Sequence, residues 1–209
     1  MLRRTTLAAS LAGAAGALVL LAGPAFATVY VAEDFETTPT TLTPYGVASI
    51  DCTTANTLRC SLKVPASTGT TYSGAALTGT FPMIGQPVAS FAFKADSATG
   101  DTDANFTLSF NTGMVRMHVT EGVGSNNGVS LYSATNRVNF TSWPTAGVWY
   151  TFTISIDPVA HTATGTLVGG GSATVSIPSG ATAITGIDAS GINWNWGSDV
   201  HFDTITLTT

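Results

Sequence analysis

Residues 149–167, "WYTFTISIDPVAHTATGTL", decide the fold class. Tyr150, Phe152, Ile154 and Ile156 alternate with Trp149, Thr151, Thr153, Ser155 and Asp157. Alternation of period two describes a strand with one face on a core and the other in water, as in an antiparallel sheet. "DPVAH" supplies turn residues, and "TATGTLV" (162–168) returns as the hairpin partner. The same grammar extends in both directions. Upstream lie "TVYVAEDFE" (28–36), "SLKV" (61–64), "AALTGTF" (75–81), "VASFAFKA" (88–95), "NFTLSF" (105–110), "MVRMHVT" (114–120) and "VSLYS" (129–133). Downstream lie "ATVSI" (173–177) and "VHFDTITL" (200–207), with Gly169–Gly171 and Pro178–Gly180 as turns between. No segment beyond the N-terminus has a helical period. Many short strands punctuated by Gly, Pro, Asn and Asp predict an all-β, antiparallel two-sheet sandwich.

The N-terminus follows another logic. Arg3 and Arg4 precede the apolar stretch "LAASLAGAAGALVLLAG", which ends at the small-x-small site Ala25-Phe26-Ala27. This is the pattern of a bacterial secretory signal peptide over residues 1–27, leaving 28–209 as one domain, secreted and extracellular. No other stretch is long and apolar enough to span a bilayer. The Lys and Arg number seven; without Arg3 and Arg4, five face twelve Asp and Glu, a net charge of −7 for the expected mature chain. That balance argues against nucleic-acid and anionic-membrane partners, which require a basic face. Cys52 and Cys60 in "CTTANTLRC" (52–60) are the chain's two cysteines, and in an exported protein they predict a short-loop disulfide.

One residue of the last strand stands out. On a regular strand Asp203 shares a face with Ile205 and Leu207, and a carboxylate on an apolar face needs a partner. The acidic "AEDFE" (32–36), the 149–167 hairpin and the closing "HFDTITL" (201–207) together resemble the concanavalin A-like lectin/glucanase jelly roll, including its laminin-G-like relatives. Galactose-binding-like jelly rolls share the pairing of first and last strands and compete with that resemblance. The resemblance implies side-by-side terminal strands and a structural calcium ion between them. Glu36 and Asp203 would be its ligands, with Glu33 or Asp34 as the third. The alternative for these acids is hydrogen bonding to backbone amides, or solvation at a sheet edge.

Enzymatic signatures are scarce. The chain's three Glu are Glu33, Glu36 and Glu121, so the E-x-D-x-x-E strand of retaining glucanases cannot be made. "DTDAN" (101–105) starts like a calcium loop, but Phe106 and Thr112 stand where that loop needs Gly and Glu, which leaves a solvated turn. His118 shares a strand face with Arg116 and could line a cleft, with Glu121 as a possible acid–base partner. Sugar binding asks for less: an aromatic ring against the apolar face of a pyranose, and amides for its hydroxyls. "INWNWGSD" (192–199) offers Trp194 and Trp196 with Asn193 and Asn195 as candidate ligand-binding residues. Trp143, Tyr45 and Trp149 are further aromatics outside the expected core. The residues favour a non-catalytic protein that binds a glycan or cell-wall polysaccharide. A structural or adhesive protein without a small ligand is the alternative, and a glycan-degrading hydrolase or lyase follows behind.

Overall fold

The computed structural model describes residues 27–57, 59–66, 71–97, 102–121, 128–134, 136–141, 145–193 and 198–209, with the side chains of 102, 121, 141 and 193 left aside. The expected signal peptide therefore falls, but for Ala27, outside the described residues. Every regular element among those described is a strand. They are β1 Val29–Glu33, β2 Thr43–Tyr45, β3 Ser49–Asp51, β4 Ser61–Val64, β5 Ser73–Pro82, β6 Val88–Ala95, β7 Thr102–Phe110 and β8 Gly113–Glu121. Then follow β9 Gly128–Ser133, β10 Arg137–Thr141, β11 Tyr150–Asp157, β12 Thr162–Leu167, β13 Ser172–Ser176, β14 Ala183–Asn193 and β15 Val200–Thr208. All pairings are antiparallel. One sheet has the order β13-β12-β11-β6-β15-β4-β3 with β1 also on β15; the other runs β10-β9-β8-β7-β14-β5-β2. The chain is the all-β two-sheet sandwich that the alternation predicts.

The deciding hairpin forms as read. Phe152, Ile154 and Ile156 point into the core, and β11 pairs with β12 from Phe152↔Leu167 to Asp157↔Thr162. Asp157 Oδ1 accepts the amides of Val159 and Ala160 at 2.9 and 2.8 Å, which closes the turn. Across the sandwich, Phe91 of β6 stacks on Phe106 of β7 with ring centroids 4.1 Å apart, and Phe152 and Phe202 flank Phe91. On β12, Gly165 faces this core; a Cβ there would come within 2.9 Å of Leu131 Cδ1 and 3.0 Å of Met117 Cε on the opposite sheet. The close approach of the two sheets at that point leaves no room for a side chain.

The structure resolves the puzzle of Asp203 and corrects the face assignment. β15 is not regular. Its register on β6 shifts between Asp203 and Thr206, and Thr204 takes a left-handed backbone with φ 51°. This bulge changes the phase of the strand. Val200 and Phe202 face the core before it, and Ile205 and Leu207 after it, so Asp203 never joins the face of Ile205 and Leu207. The carboxylate lies on the outer face instead, fully buried under the 52–60 loop. Asn56 N and Thr57 N donate to its Oδ2 at 2.9 and 3.0 Å, and Thr204 N donates to Oδ1 at 2.6 Å.

The first and last strands do pair, from Val29↔Thr208 to Glu33↔Ile205. The acids near that seam each serve backbone amides. Glu36 Oε1 accepts Arg59 N and Cys60 N at 2.7 and 2.6 Å. Glu33, buried beside Val31, accepts Phe35 N at 2.6 Å and Leu42 N at 3.0 Å, while Asp34 accepts Glu36 N at 3.1 Å. Amide hydrogens pointed at a carboxylate are the surroundings of an anion; a calcium shell would present carbonyl oxygens instead. Among the described residues no three His, Cys, Asp or Glu side chains are grouped as a metal ion would need. Glu33, Glu36 and Asp203 thus do not fit the calcium site that the resemblance implies. Cys52 and Cys60 are bridged, and their loop carries four of the amides just described.

Candidate functional site

The outer face of the seven-stranded sheet collects polar and aromatic side chains from strands far apart in sequence. Pairing registers place them in rows. One row runs Tyr45–Gly74–Ser190–Asn105–His118–Ser130–Asn139 across all seven strands. The next runs Thr43–Ala76–Asp188–Thr107–Arg116–Tyr132–Arg137. On β7, Phe106 and Leu108 enter the core while Asp103, Asn105 and Thr107 face out.

A cleft of about 380 Å³ opens on this face, with Tyr45, Tyr72, Asn105, Arg116, Asp188 and Ser190 among its walls. At one wall Tyr45 reaches over β5, and its hydroxyl donates to Asp188 Oδ2 at 2.8 Å. Gly74 and Ala76 are the outer positions of β5 beneath it, so little side chain stands in the way. A Cβ on Gly74 would lie 2.2 Å from the carbonyl oxygen of Ala189. Ser190 donates its hydroxyl to the other oxygen of Asp188. Burial pushes the Tyr45 phenol up to about 12, and Asp188 adds to the rise. Burial likewise raises Tyr72, with Asp103 acting in the same direction.

The floor is Asn105. It is 1% exposed, its amide nitrogen donates to Asp103 Oδ1 at 2.9 Å, and its carbonyl oxygen has no hydrogen-bond partner among the described residues. The same Asp103 oxygen holds His118 Nε2 at 2.8 Å. His118 thus stands next to Asn105 in the row, beside the cleft and not among its walls, with Asp103 as its acidic partner; the side chain of Glu121 lies outside those described. Asp103 and Asn105 also correct the expectation of a solvated "DTDAN" turn, because both belong to the face of β7. Tyr45, outside the core as expected, is the last residue of β2.

Of the predicted sugar-binding residues, Trp194, Asn195 and Trp196 lie outside the described residues, as does Trp143, and Asn193 is described only as the last residue of β14. Ile192 is buried yet apart from the core cluster, which agrees with its place on the outer face in register with Asp103. Sequence reasoning missed Asp188 and Ser190 because β14, "AITGIDASGIN", interrupts its alternation with two glycines and a register shift near Ile184.

The opposite sheet carries a second polar cluster on its outer face. Ser61 Oγ lies 3.2 Å from His201 Nδ1, and His201 Nε2 lies 3.2 Å from Asp96 Oδ2. The residue types are those of a hydrolase triad, but the geometry is not. Ser61 and His201 are fully buried, and the Ser61 hydroxyl donates to the carbonyl of Thr54, not to the imidazole. A nucleophile needs access and a base to take its proton, and Ser61 has neither. The cluster anchors the disulfide loop. Trp149 lies beside it, with Lys94 Nζ 5.8 Å from its ring centroid.

The two antiparallel sheets define the class in architecture: the chain has the concanavalin A-like jelly-roll fold. Similar solved structures include "Cellulose induced protein, Cip1" (TM-score 0.59, 16% identity, 85% of this chain and 96% of that one). The Lotus tetragonolobus seed lectin matches with TM-score 0.58 and 16% identity over 87% of this chain and 97% of that one. The CBM2 module of the evolved Dit of Lactobacillus casei BL23 phage J-1 matches with TM-score 0.61 and 12% identity over 87% and 95%. No protein-family model and no curated protein matches the chain. At such identities the likeness concerns the fold alone.

Proposed function

We propose that the chain is a non-catalytic glycan-binding protein whose site is the cleft over Asn105 on the seven-stranded sheet. The observation that carries this reading is the buried, unpartnered carbonyl oxygen of Asn105 at the floor of a cleft walled by Tyr45 and Tyr72. A buried acceptor without a donor is costly to keep, and a sugar hydroxyl would satisfy it. Tyr72 is 40% exposed and presents a ring against which a pyranose can stack. Asp188 and Asp103 offer further acceptors around the same space. The neighbours named as lectins and as a carbohydrate-binding module support the reading by analogy of fold. Export through the residue 1–27 signal would deliver the protein to extracellular or cell-wall polysaccharide.

The test is a glycan array followed by calorimetry on the best ligand. Tyr72→Ala should weaken binding by about 1–3 kcal/mol while leaving the melting temperature in place, because an exposed stacking ring is removed. Binding unchanged by Tyr72→Ala, or no glycan bound at all, would remove the cleft from consideration. Incubation with the same glycan should release no new reducing ends; their appearance would make His118 and Asp103 candidates for catalysis.

A further inference from the structure

We propose that the cleft takes glycans bearing an anionic substituent, a carboxylate or a sulfate, and that Arg116 and Arg137 receive it. This assignment rests on the glycan-binding reading above and names its ligand class. The starting point is how the few cations of the chain are spent. On the outer face of the other sheet, Lys63 meets Asp199 at 2.6 Å and Lys94 meets Asp96 at 2.7 Å. Arg59, Arg116 and Arg137 differ: among the described residues none of them has a carboxylate within 4.0 Å, and the two that stand on the face of the cleft are Arg116 and Arg137. Their Nε atoms donate to neutral hydroxyls, Arg116 to Thr107 and Arg137 to Ser130, both at 3.1 Å. Arg137 Nη2 is buried with no hydrogen-bond partner.

Carboxylates are abundant in this chain, with twelve Asp and Glu against seven Lys and Arg, and two of them share the face. Those two are occupied by other donors: Asp188 by Tyr45 and Ser190, Asp103 by His118 and Asn105. Among the described residues the ends of both guanidinium forks therefore meet no anion, Arg116 Nη2 donating to the thioether of Met114 at 3.6 Å, and a fork of this kind matches a planar carboxylate bidentately or a sulfate through two oxygens.

Placement adds to the argument. In the row Asp188–Thr107–Arg116–Tyr132–Arg137 the charge changes sign across the sheet, from β14 to β10. Arg116 walls the cleft, and Tyr132 and Arg137 continue the row beyond it. Two strand spacings separate the arginines, roughly 10 Å, with Tyr132 between them and 37% exposed. A sugar ring on Tyr132 would hold its anionic group toward either guanidinium while neutral hydroxyls face the Asp188 side. The negative net charge of the chain repels polyanions at long range but is screened within about 8–10 Å at physiological salt, so the arginines decide at contact.

The experiment is affinity electrophoresis of the purified protein against two matched pairs: polygalacturonate with its carboxyl-reduced form, and a sulfated galactan with its desulfated form. The acidic member of at least one pair should bind about tenfold tighter than its neutral twin, and the pair that does so identifies the anion. Arg116→Gln and Arg137→Gln should each lower that preference severalfold. Arg116→Lys, which keeps the charge and loses the fork, gives the same readout if Arg116→Gln does not fold. Equal binding of acidic and neutral twins would overturn the anionic assignment and leave the glycan reading standing. Binding to none of the four polymers, together with a blank glycan array, would overturn both.

Discussion

Replacing Asp203 by Asn tests the reasoning about the buried carboxylate most directly. The wild-type side chain is fully buried and accepts three backbone amides, two on Oδ2 from the disulfide loop and one on Oδ1 from Thr204. Asparagine is nearly isosteric but has one acceptor oxygen. If that oxygen serves Asn56 and Thr57, the new NH₂ faces the Thr204 amide at a separation that was 2.6 Å, donor against donor. One unsatisfied buried N–H costs about 1–3 kcal/mol, and loss of charge assistance on the other two adds about 1 kcal/mol each. The total is about 3–5 kcal/mol, on the order of 10 °C in melting temperature for a chain of this length. The assay is urea and thermal denaturation of wild type and Asp203→Asn, each with calcium and with chelator. The hydrogen-bonding account expects the full loss in both conditions and a wild type indifferent to calcium. A loss below about 1 kcal/mol, or a wild type that melts earlier in chelator and carries calcium by elemental analysis, would refute it.

Other outcomes follow from the same geometry. His201 is buried, and that burial holds its pKa below the ordinary 6.5 even though Asp96 pulls it upward. Its unfolded form therefore binds the proton first on acidification, so stability should be level above pH 7 and fall as pH drops below about 6.5, flattening once the folded imidazole protonates. His201→Asn should remove that segment of the pH dependence from melts, and an identical slope in the variant would exclude His201 as its source. Reducing the Cys52–Cys60 bridge should cost about 2–3 kcal/mol, measured with and without reductant under denaturant; no difference would mean that the loop is held by Glu36 and Asp203 alone. Phe91→Ala should cost about 3–5 kcal/mol, since it removes the ring stacked on Phe106 at 4.1 Å; a loss under about 1 kcal/mol would mean that this pair is not central to the core.

Strand content was legible from the sequence because one-sided burial imposes period two on each strand locally. "VASFAFKA" and "SLKV" coincide with β6 and β4, and 149–167 gives the β11–β12 hairpin. The disulfide was legible from two closely spaced cysteines behind an expected export signal, without knowledge of the fold. Four strands escaped: β2, β3 and β10 are only three to five residues long, and β14 carries glycines where alternation would show. Tertiary structure alone decided the rest. A left-handed residue at Thr204 reversed the phase of β15, and nothing in "VHFDTITL" announces a bulge, because Thr has no special liking for that conformation. The candidate site was hidden for a related reason. Polar outward residues satisfy the strand pattern whether they meet water or a ligand, so Asp103, Asn105 and Asp188 look alike until cross-strand pairing sets them in rows. Tyr45 and Asp188 are 143 residues apart in sequence and 2.8 Å apart in space. That distance is set by the order of β2, β5 and β14 in the sheet, a property of the assembled sandwich and of no single strand.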